Sequence, residues 1–434
     1  MGENMKPSGI AWIGDIPESW EVSKVKFDFV VVNGSTPDSS DYDCWDGQIK
    51  WITPADMNET GIIDSGDRSI TEFGYNSCGT TLLPKGSIVI SSRAPIGKIN
   101  ITTEVLCTNQ GCKGLVAKRD NRFTYYLMLA GHNELTLLGR GTTFLELSTY
   151  DLTNFKIVIP PLHEQTHIAD FLDEQCEKID NIATEIEKQI ENLQKYKKSL
   201  ITETVTKGLN KSVHMKDSGI EWIGDIPEHW EVKRIKHCCT IIGSGTTPES
   251  SNFEYYDGDY AWIQSGDLYG RDIIISTEKT ITQLAANTYS TLKMYQADYV
   301  VVAMYGASVG NVAISKIDAY VNQACCVLAQ DSRSDVRYLF YWLVHCKEDL
   351  IQQSFGGGQP NISQQKIRNE PMLSLPSDDQ IQIANYLDEK CTKIDSIIVS
   401  KKEQLTKITQ HKKSLIYEYV TGKKRVKGAI NNGN

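Results

Sequence analysis

The 434-residue chain lacks the nucleotide-motor and amino-methyltransferase motifs that would make it a catalyst on DNA by itself. No G-x-x-x-x-G-K-[ST] loop occurs, so no nucleotide-driven motor is expected. No [ND]PP[YF] amino-methyltransferase motif occurs either, because Pro160-Pro161 runs into Leu162. The eleven cysteines form no C-x-x-C pair and fall as Cys238-Cys239, Cys325-Cys326 and singles. That odd, scattered set fits reduced thiols better than a disulfide framework or a zinc site. No apolar run approaches the length of a membrane span, and residues 1–7 carry no apolar leader core, so the expected setting is the cytoplasm.

Positive charge is also scarce. Lysine and arginine number 45 against 55 acidic residues, a net charge of −10, which works against a broad phosphate-binding surface. Lys423, Lys424, Arg425 and Lys427 form a basic run near the end, either a solvated tail or a DNA arm. The segment 243–248, Gly-Ser-Gly-Thr-Thr-Pro, looks superficially like a phosphate loop, but its proline and the absence of a following helix pattern argue otherwise. The histidines, His163, His167 and His345 among them, are read as forming neither an H-E-x-x-H motif nor a paired ligand set, and so as surface or core residues. With 40% hydrophobic and 23% charged residues the composition is that of a folded chain, and its length suits two to four domains.

What the sequence does have is duplication. Residues 8–26 read SGIAWIGDIPESWEVSKVK and 218–236 read SGIEWIGDIPEHWEVKRIK, identical at 14 of 19 positions. A second pair, IADFLDEQCEKIDNI at 168–182 and IANYLDEKCTKIDSI at 383–397, is followed each time by KKSLI. Between these blocks the copies diverge, keeping sparse echoes such as Asp46-Gly47 with Asp257-Gly258 and Asn109-Gln110 with Asn322-Gln323. Well-matched ends around dissimilar middles suggest that the middles do the reading.

The block after each middle predicts a long helix. Ile168, Leu172, Ile179, Ile182, Ile186, Leu193 and Leu200 recur at helical spacing, and no Pro or Gly interrupts 164–207. At 1.5 Å per residue such a helix is about 66 Å long. Residues 378–421 repeat the pattern with Ile383, Leu387, Ile394, Ile397, Leu405, Ile408 and Leu415. A helix of that length with one apolar stripe needs a partner, so Leu172, Ile179, Ile186, Leu193 and Leu200 are expected to pair with Leu387, Ile394, Leu405, Ile408 and Leu415 in a coiled coil. Pro160-Pro161 and Pro376 mark the helix entries.

The inserts, 27–160 and 237–376, read as mixed α/β. Polar side chains able to address base edges or phosphates cluster at their turns. In the first insert these are Lys50, Ser91, Ser92, Arg93, Lys98, Asn109, Gln110, Lys113, Arg140, Thr142 and Thr143. In the second they are Tyr305, Ser308, Asn311, Asn322, Gln323, Gln359 and Asn361, the last two in a Gly-rich loop. Asn109 and Asn322 could equally brace turns, and Trp51 and Trp262 are either core anchors or stacking platforms.

The doubled WIGDIPExWEV segment, the two variable inserts, and the blocks from Pro161-Leu162-His163-Glu164-Gln165 to Leu172-Asp173 and Ile179-Asp180, repeated from Gln380, resemble the specificity subunit of Type I restriction-modification systems. The resemblance covers nearly the whole chain. Departures are Pro376-Ser377-Asp378-Asp379-Gln380 in place of PPLHEQ, and the absence of Gln-Pro-Asn from 139–145. It implies an α+β fold: two mixed α/β target-recognition domains, 1–160 and 213–375, separated by long antiparallel helices in 161–212 and 376–434, with internal pseudo-two-fold symmetry. Each domain would read half of an interrupted site on double-stranded DNA, and the helices would set a spacing of at most roughly 20 base pairs. It also implies two modification subunits carrying S-adenosylmethionine and two ATP-driven restriction subunits, with Mg, so that no cofactor or metal falls to this chain. An enzyme acting alone on DNA and a coiled-coil scaffold with two protein-binding heads are the competing classes.

Overall fold

The computed structural model describes residues 4–93, 95–117, 121–140, 145–306, 308–330, 334–352 and 361–426. The chain divides into two compact units, Met1–Glu187 with Glu403–Asn434, and Lys188–Lys402. The division falls inside the long helices, not at their ends.

In the first unit, strands Phe29–Asn33, Cys112–Ala117, Ile88–Ser91, Ile99–Thr102 and Thr60–Ile63 lie side by side in that order. All neighbours are antiparallel except the last pair, which is parallel. In the second unit Ile241–Gly243, Cys325–Ala329, Tyr299–Ala303, Val312–Ser315 and Ile273–Ile274 repeat the order and the directions. The central strands Ile88–Ser91 and Tyr299–Ala303 are buried at every position. A continuous apolar run is what a strand covered on both faces requires. Two inserts with little sequence in common thus take one mixed topology, as the duplicated frame leads one to expect.

A smaller sheet accompanies each. Trp45–Ile52 pairs antiparallel with Arg68–Ile70 and parallel with Cys107–Thr108, while Tyr256–Ile263 does the same with Thr280–Ile281 and Tyr320–Val321. The register slips between Trp45 and Ile49, and between Tyr256 and Tyr260. Asp46 and Asp257 sit in these bulges at φ +59° and +57°. A Cβ on Gly47 or Gly258 would strike the backbone of Thr71 or of Ile281 and Thr282. The Asp-Gly echo is therefore a backbone requirement.

The long helices run Leu162–Lys207, 46 residues, and Ser377–Val420, 44 residues. Pro161 starts the first by offering its carbonyl to the Glu164 and Gln165 amides at 2.9 and 3.0 Å. Gly208 ends it in the left-handed conformation at φ +71°, as Gly422 ends the second at +72°. Each unit's core takes the start of one helix and the end of the other. Ile168, Leu172 and Cys176 pack with Ile416 and Val420 in the first unit. Ile383, Leu387, Cys391 and Ile394 pack with Leu200, Ile201 and Val205 in the second.

Within each unit the two helix segments run antiparallel. In the first, Phe171 stacks on Tyr419 with ring centroids 4.5 Å apart, and Lys412 reaches Asp180 at 2.7 Å. In the second, Lys197 reaches Asp395 at 2.7 Å and Lys401 reaches Gln189 at 2.5 Å. Lys197 and Lys412 hold the same place in the two KKSLI blocks, and Asp180 and Asp395 the same place in KIDN and KIDS. Half-exposed pairs of this kind add little stability, but they fix register.

The same doubling ties each insert to its helix. Trp20 Nε1 donates to the Glu164 carboxylate at 2.9 Å, and Trp230 Nε1 to Asp379 at 3.0 Å. Tyr126 and Arg122 reach Asp173 at 2.7 and 2.8 Å. Tyr341 and Arg337 reach Asp388, both at 2.7 Å. The repeated acidic positions are thus accounted for by bonds within each unit. Among the described residues no helix is long and apolar enough to cross a membrane.

Two stability predictions follow from burial. Trp20→Phe keeps most of the ring but leaves the buried Glu164 a donor short, at an expected cost of about 1–3 kcal/mol. Urea unfolding should show a lower midpoint, and an unchanged one would deny the bond any part in stability. Glu370 is buried with no hydrogen-bond partner for Oε1 among the described residues, and burial, then nearby Asp349, push its carboxyl from 4.5 up to about 7. Stability from its protonated form is full below about pH 4.5 and lost as pH rises through about 7. Glu370→Gln should flatten that decline, and equal slopes in variant and parent would contradict it.

Candidate nucleic-acid interface

Several of the sequence candidates lie at one corner of each five-stranded sheet. There the central strand ends beside the Asn-Gln turn. Ser92 N donates to Gly111 O and Leu147 N to Ser92 O, at 2.7 and 2.9 Å. In the second unit Met304 N donates to Ala324 O and Ile362 N to Met304 O, at 2.7 and 2.8 Å. These bonds make Arg93 the counterpart of Tyr305, and Glu146 the counterpart of Asn361. The frame is common; the side chains it presents are not.

Several candidates are committed to the fold. Ser91 and Ser92 are fully buried. Ser91 Oγ donates to Pro95 O at 2.7 Å and accepts from Lys98 N at 2.9 Å, while the Ser92 hydroxyl has no partner among the described residues. Lys98 Nζ donates to the Pro54 and Met57 carbonyls at 3.0 and 2.7 Å. Lys113 is buried, bonded to Asn33 and Thr149 at 3.0 and 3.2 Å, and burial lowers its pKa. Asn109 and Asn322 brace their turns, accepting from Gly111 N at 2.9 Å and Ala324 N at 3.0 Å. Ser308 is buried, and Asn311 Oδ1 accepts from Lys347 Nζ at 2.7 Å.

Others face solvent. Arg93 is exposed, 3.3 Å from Glu146, and Arg140 lies 3.2 Å from Asp151. Lys50 is half-buried, 3.9 Å from Glu104. Gln110, Gln323 and Asn361 are exposed. Tyr305 donates to the Gln323 carbonyl at 2.5 Å, and burial raises its pKa. Thr142, Thr143 and Gln359 lie outside the described residues. Trp51 and Trp262 are buried core residues, and Trp51 packs edge-on to Trp45 at 5.2 Å.

Sequence reasoning overlooked Thr36 and Glu146, and set Thr247 aside with the 243–248 segment. The threonines show themselves only once the chain folds, when their loops close over the Asn-Gln turns. Along the helices Leu172, Ile186, Leu200, Leu387 and Ile394 are buried, and Ile179, Leu193, Leu405, Ile408 and Leu415 half-buried. Ile182 and Ile397, at equivalent places, stay exposed at 51% and 45%. In the first unit a cavity of about 720 Å³ opens between insert and helices, lined by Lys413 and Asn133 among others. Their counterparts in the second unit, Lys198 and Glu348, form an ion pair.

One motif needs correcting. His163-Glu164-Gln165-Thr166-His167 has the H-E-x-x-H spacing of zinc metalloproteases, which the view of these histidines as unconnected residues passed over. The imidazoles are exposed, with centroids 6.4 Å apart. Glu164 is buried, and its oxygens accept from Trp20 and Arg425, both at 2.9 Å. A general base must be free to take a proton from water, and this carboxylate is not. Among the described residues no His, Cys, Asp and Glu come together in a group able to hold a metal.

The chain is 26% identical over 429 residues to the Type I restriction enzyme MjaIX specificity subunit of Methanocaldococcus jannaschii, covering 95% of each chain. It is 28% identical over 171 residues to the EcoR124I/EcoR124II specificity subunit of Escherichia coli, covering 37% of this chain and 42% of that one. Among solved structures, a chain from a study of complex assembly and conformational transition of the type I R-M system matches with a TM-score of 0.72 at 16% identity, covering 93% of this chain and 98% of that one. The HsdS subunit from Thermoanaerobacter tengcongensis matches with a TM-score of 0.51 at 16% identity, covering 94% and 98%. The model for the Type I restriction modification DNA specificity domain matches twice, over residues 17–193 and 227–409. With both copies matched, the chain belongs to the family of Type I restriction-modification DNA specificity subunits.

Proposed function

We propose that each insert of this specificity subunit reads one half of an interrupted double-stranded DNA site, while the long helices set the spacing and dock the modification subunits. The observation that carries the reading is the common corner with different occupants. One backbone frame presents Arg93 and Glu146 in the first insert, and Tyr305 and Asn361 in the second. Arginine addresses guanine with paired donors, and asparagine addresses adenine with a donor and an acceptor. Tyrosine offers neither pattern, so the two corners suit different base sequences.

On this reading the chain supplies no catalysis. S-adenosylmethionine would sit on two modification subunits, and ATP with Mg on two restriction subunits. The doubled helices would offer two equivalent docking faces, and exposed Ile182 and Ile397 support that placement. An apolar side chain repeated in an exposed position suits a covered surface. The acidic balance fits the same division of labour. Lys98 and Lys113 are bonded within the protein, and partners that wrap the DNA would provide most phosphate contacts.

Exchanging 27–160 for the corresponding insert of a relative should change one half of the methylated site and preserve the other, as mapped by methylated-adenine sequencing. Changes in both halves would sink the modular reading. Ile182→Asp should reduce the modification subunits bound from two to one by native mass spectrometry, with Ile182→Asp/Ile397→Asp binding none. Retention of both by the double variant would place docking elsewhere.

A further inference from the structure

Two inserts that share little sequence keep one polar device. Thr36 Oγ1 donates to Gln110 Oε1, and Thr247 Oγ1 donates to Gln323 Oε1 at 2.5 Å. The glutamines head the Asn-Gln turns, and the threonines belong to the loops Gly34-Ser35-Thr36-Pro37 and Gly245-Thr246-Thr247-Pro248. Both glutamines are exposed, and their Nε2 groups have no partner among the described residues.

The fold does not need these side chains. Each turn is already braced by its asparagine, Asn109 or Asn322, at 2.9 and 3.0 Å. Each loop is already seated by a glycine whose Cβ would collide with a facing carbonyl, Asn109 O at Gly34 and Val321 O at Gly245. An exposed glutamine adds almost no apolar burial. What the threonine does is turn the amide: holding the carbonyl oxygen by one lone pair leaves the N–H donors to face outward.

Resting on the DNA-reading proposal above, we propose that Gln110 and Gln323 are phosphate clamps that dock each insert on the sugar-phosphate backbone and do not read bases. Adenine readout by glutamine needs donor and acceptor together, and here the carbonyl is turned to the threonine with one of its lone pairs held there. A device identical in two domains whose reading residues differ must meet a chemical feature both half-sites share. The phosphodiester oxygens are such a feature, being acceptors that repeat along any sequence. Arg93 and Tyr305, which differ, then stand beside a constant anchor.

A neutral donor displaces no counterion, which separates this contact from a lysine's. The test uses the full chain assembled with its modification subunits, titrated with a duplex carrying the methylated site and with duplexes bearing single base-pair changes in it. Gln110→Ala and Gln323→Ala should each weaken binding about three- to tenfold, the scale of one neutral hydrogen bond. The loss should be equal on all duplexes, with salt slope and methylated motif unchanged. Gln110→Glu, of the same shape, should weaken binding more, because it turns a carboxylate oxygen toward phosphate.

A loss confined to one base position, or a changed motif, would overturn the clamp and make the glutamine a base reader. Binding unchanged in both alanine variants, or Gln110→Glu binding as tightly as the parent, would also overturn it. Thermal midpoints matching the parent's exclude misfolding as the source of any loss. If the parent assembly itself fails to distinguish its site from changed duplexes, the DNA-reading proposal fails, which is a different outcome.

Discussion

A carboxylate in the first turn of each long helix accepts the indole N–H of a tryptophan buried at the entry to the preceding insert: Glu164 from Trp20, Asp379 from Trp230. Glu164 is buried and Asp379 half-buried, and a desolvated carboxylate without its donor is costly, so the helix starts where the insert ends and does not slip along it. Asp173 and Asp388, held by Tyr126 and Tyr341, add a second tie further along. Each insert is thereby fixed to the start of its own helix. Under the proposed function, that attachment is what a spacing-dependent reader requires.

The acidic positions that repeat along the helices divide their work between insert and partner helix. Asp173 and Asp388 face the inserts, whereas Asp180 and Asp395 face lysines of the other helix. The apolar stripe is similarly shared, since Leu172 and Leu387 enter insert cores as well as meeting the opposing helix segment. A pure coiled-coil reading of the heptads is therefore too simple. Both ends of each helix are components of a unit's core.

The frame was legible in the sequence because its determinants are local or repeated. Uninterrupted helical spacing between Pro161 and Gly208 requires a long helix, and two copies of one block require a common architecture. The corner was legible only in part. Arg93, Gln110, Tyr305 and Asn361 came from residue type at turns, and the fold exposes or gathers them. Ser91, Lys98 and Lys113 have the same chemistry, yet the sheet buries or occupies them, and that depends on pairings across tens of residues. Thr36 escaped notice, and Thr247 was set aside with its segment, for the same reason. The H-E-x-x-H match shows the converse hazard, a spacing whose central carboxylate is already held by Trp20 and Arg425.

The central claim is that one frame, used twice, makes a two-part reader with a fixed separation. The direct measurement is a genome-wide map of methylated adenines in cells expressing this chain with its modification subunit. The account predicts one motif made of two unlike parts separated by an unspecified spacer of constant length. A single uninterrupted motif, or two parts at variable separation, would contradict it.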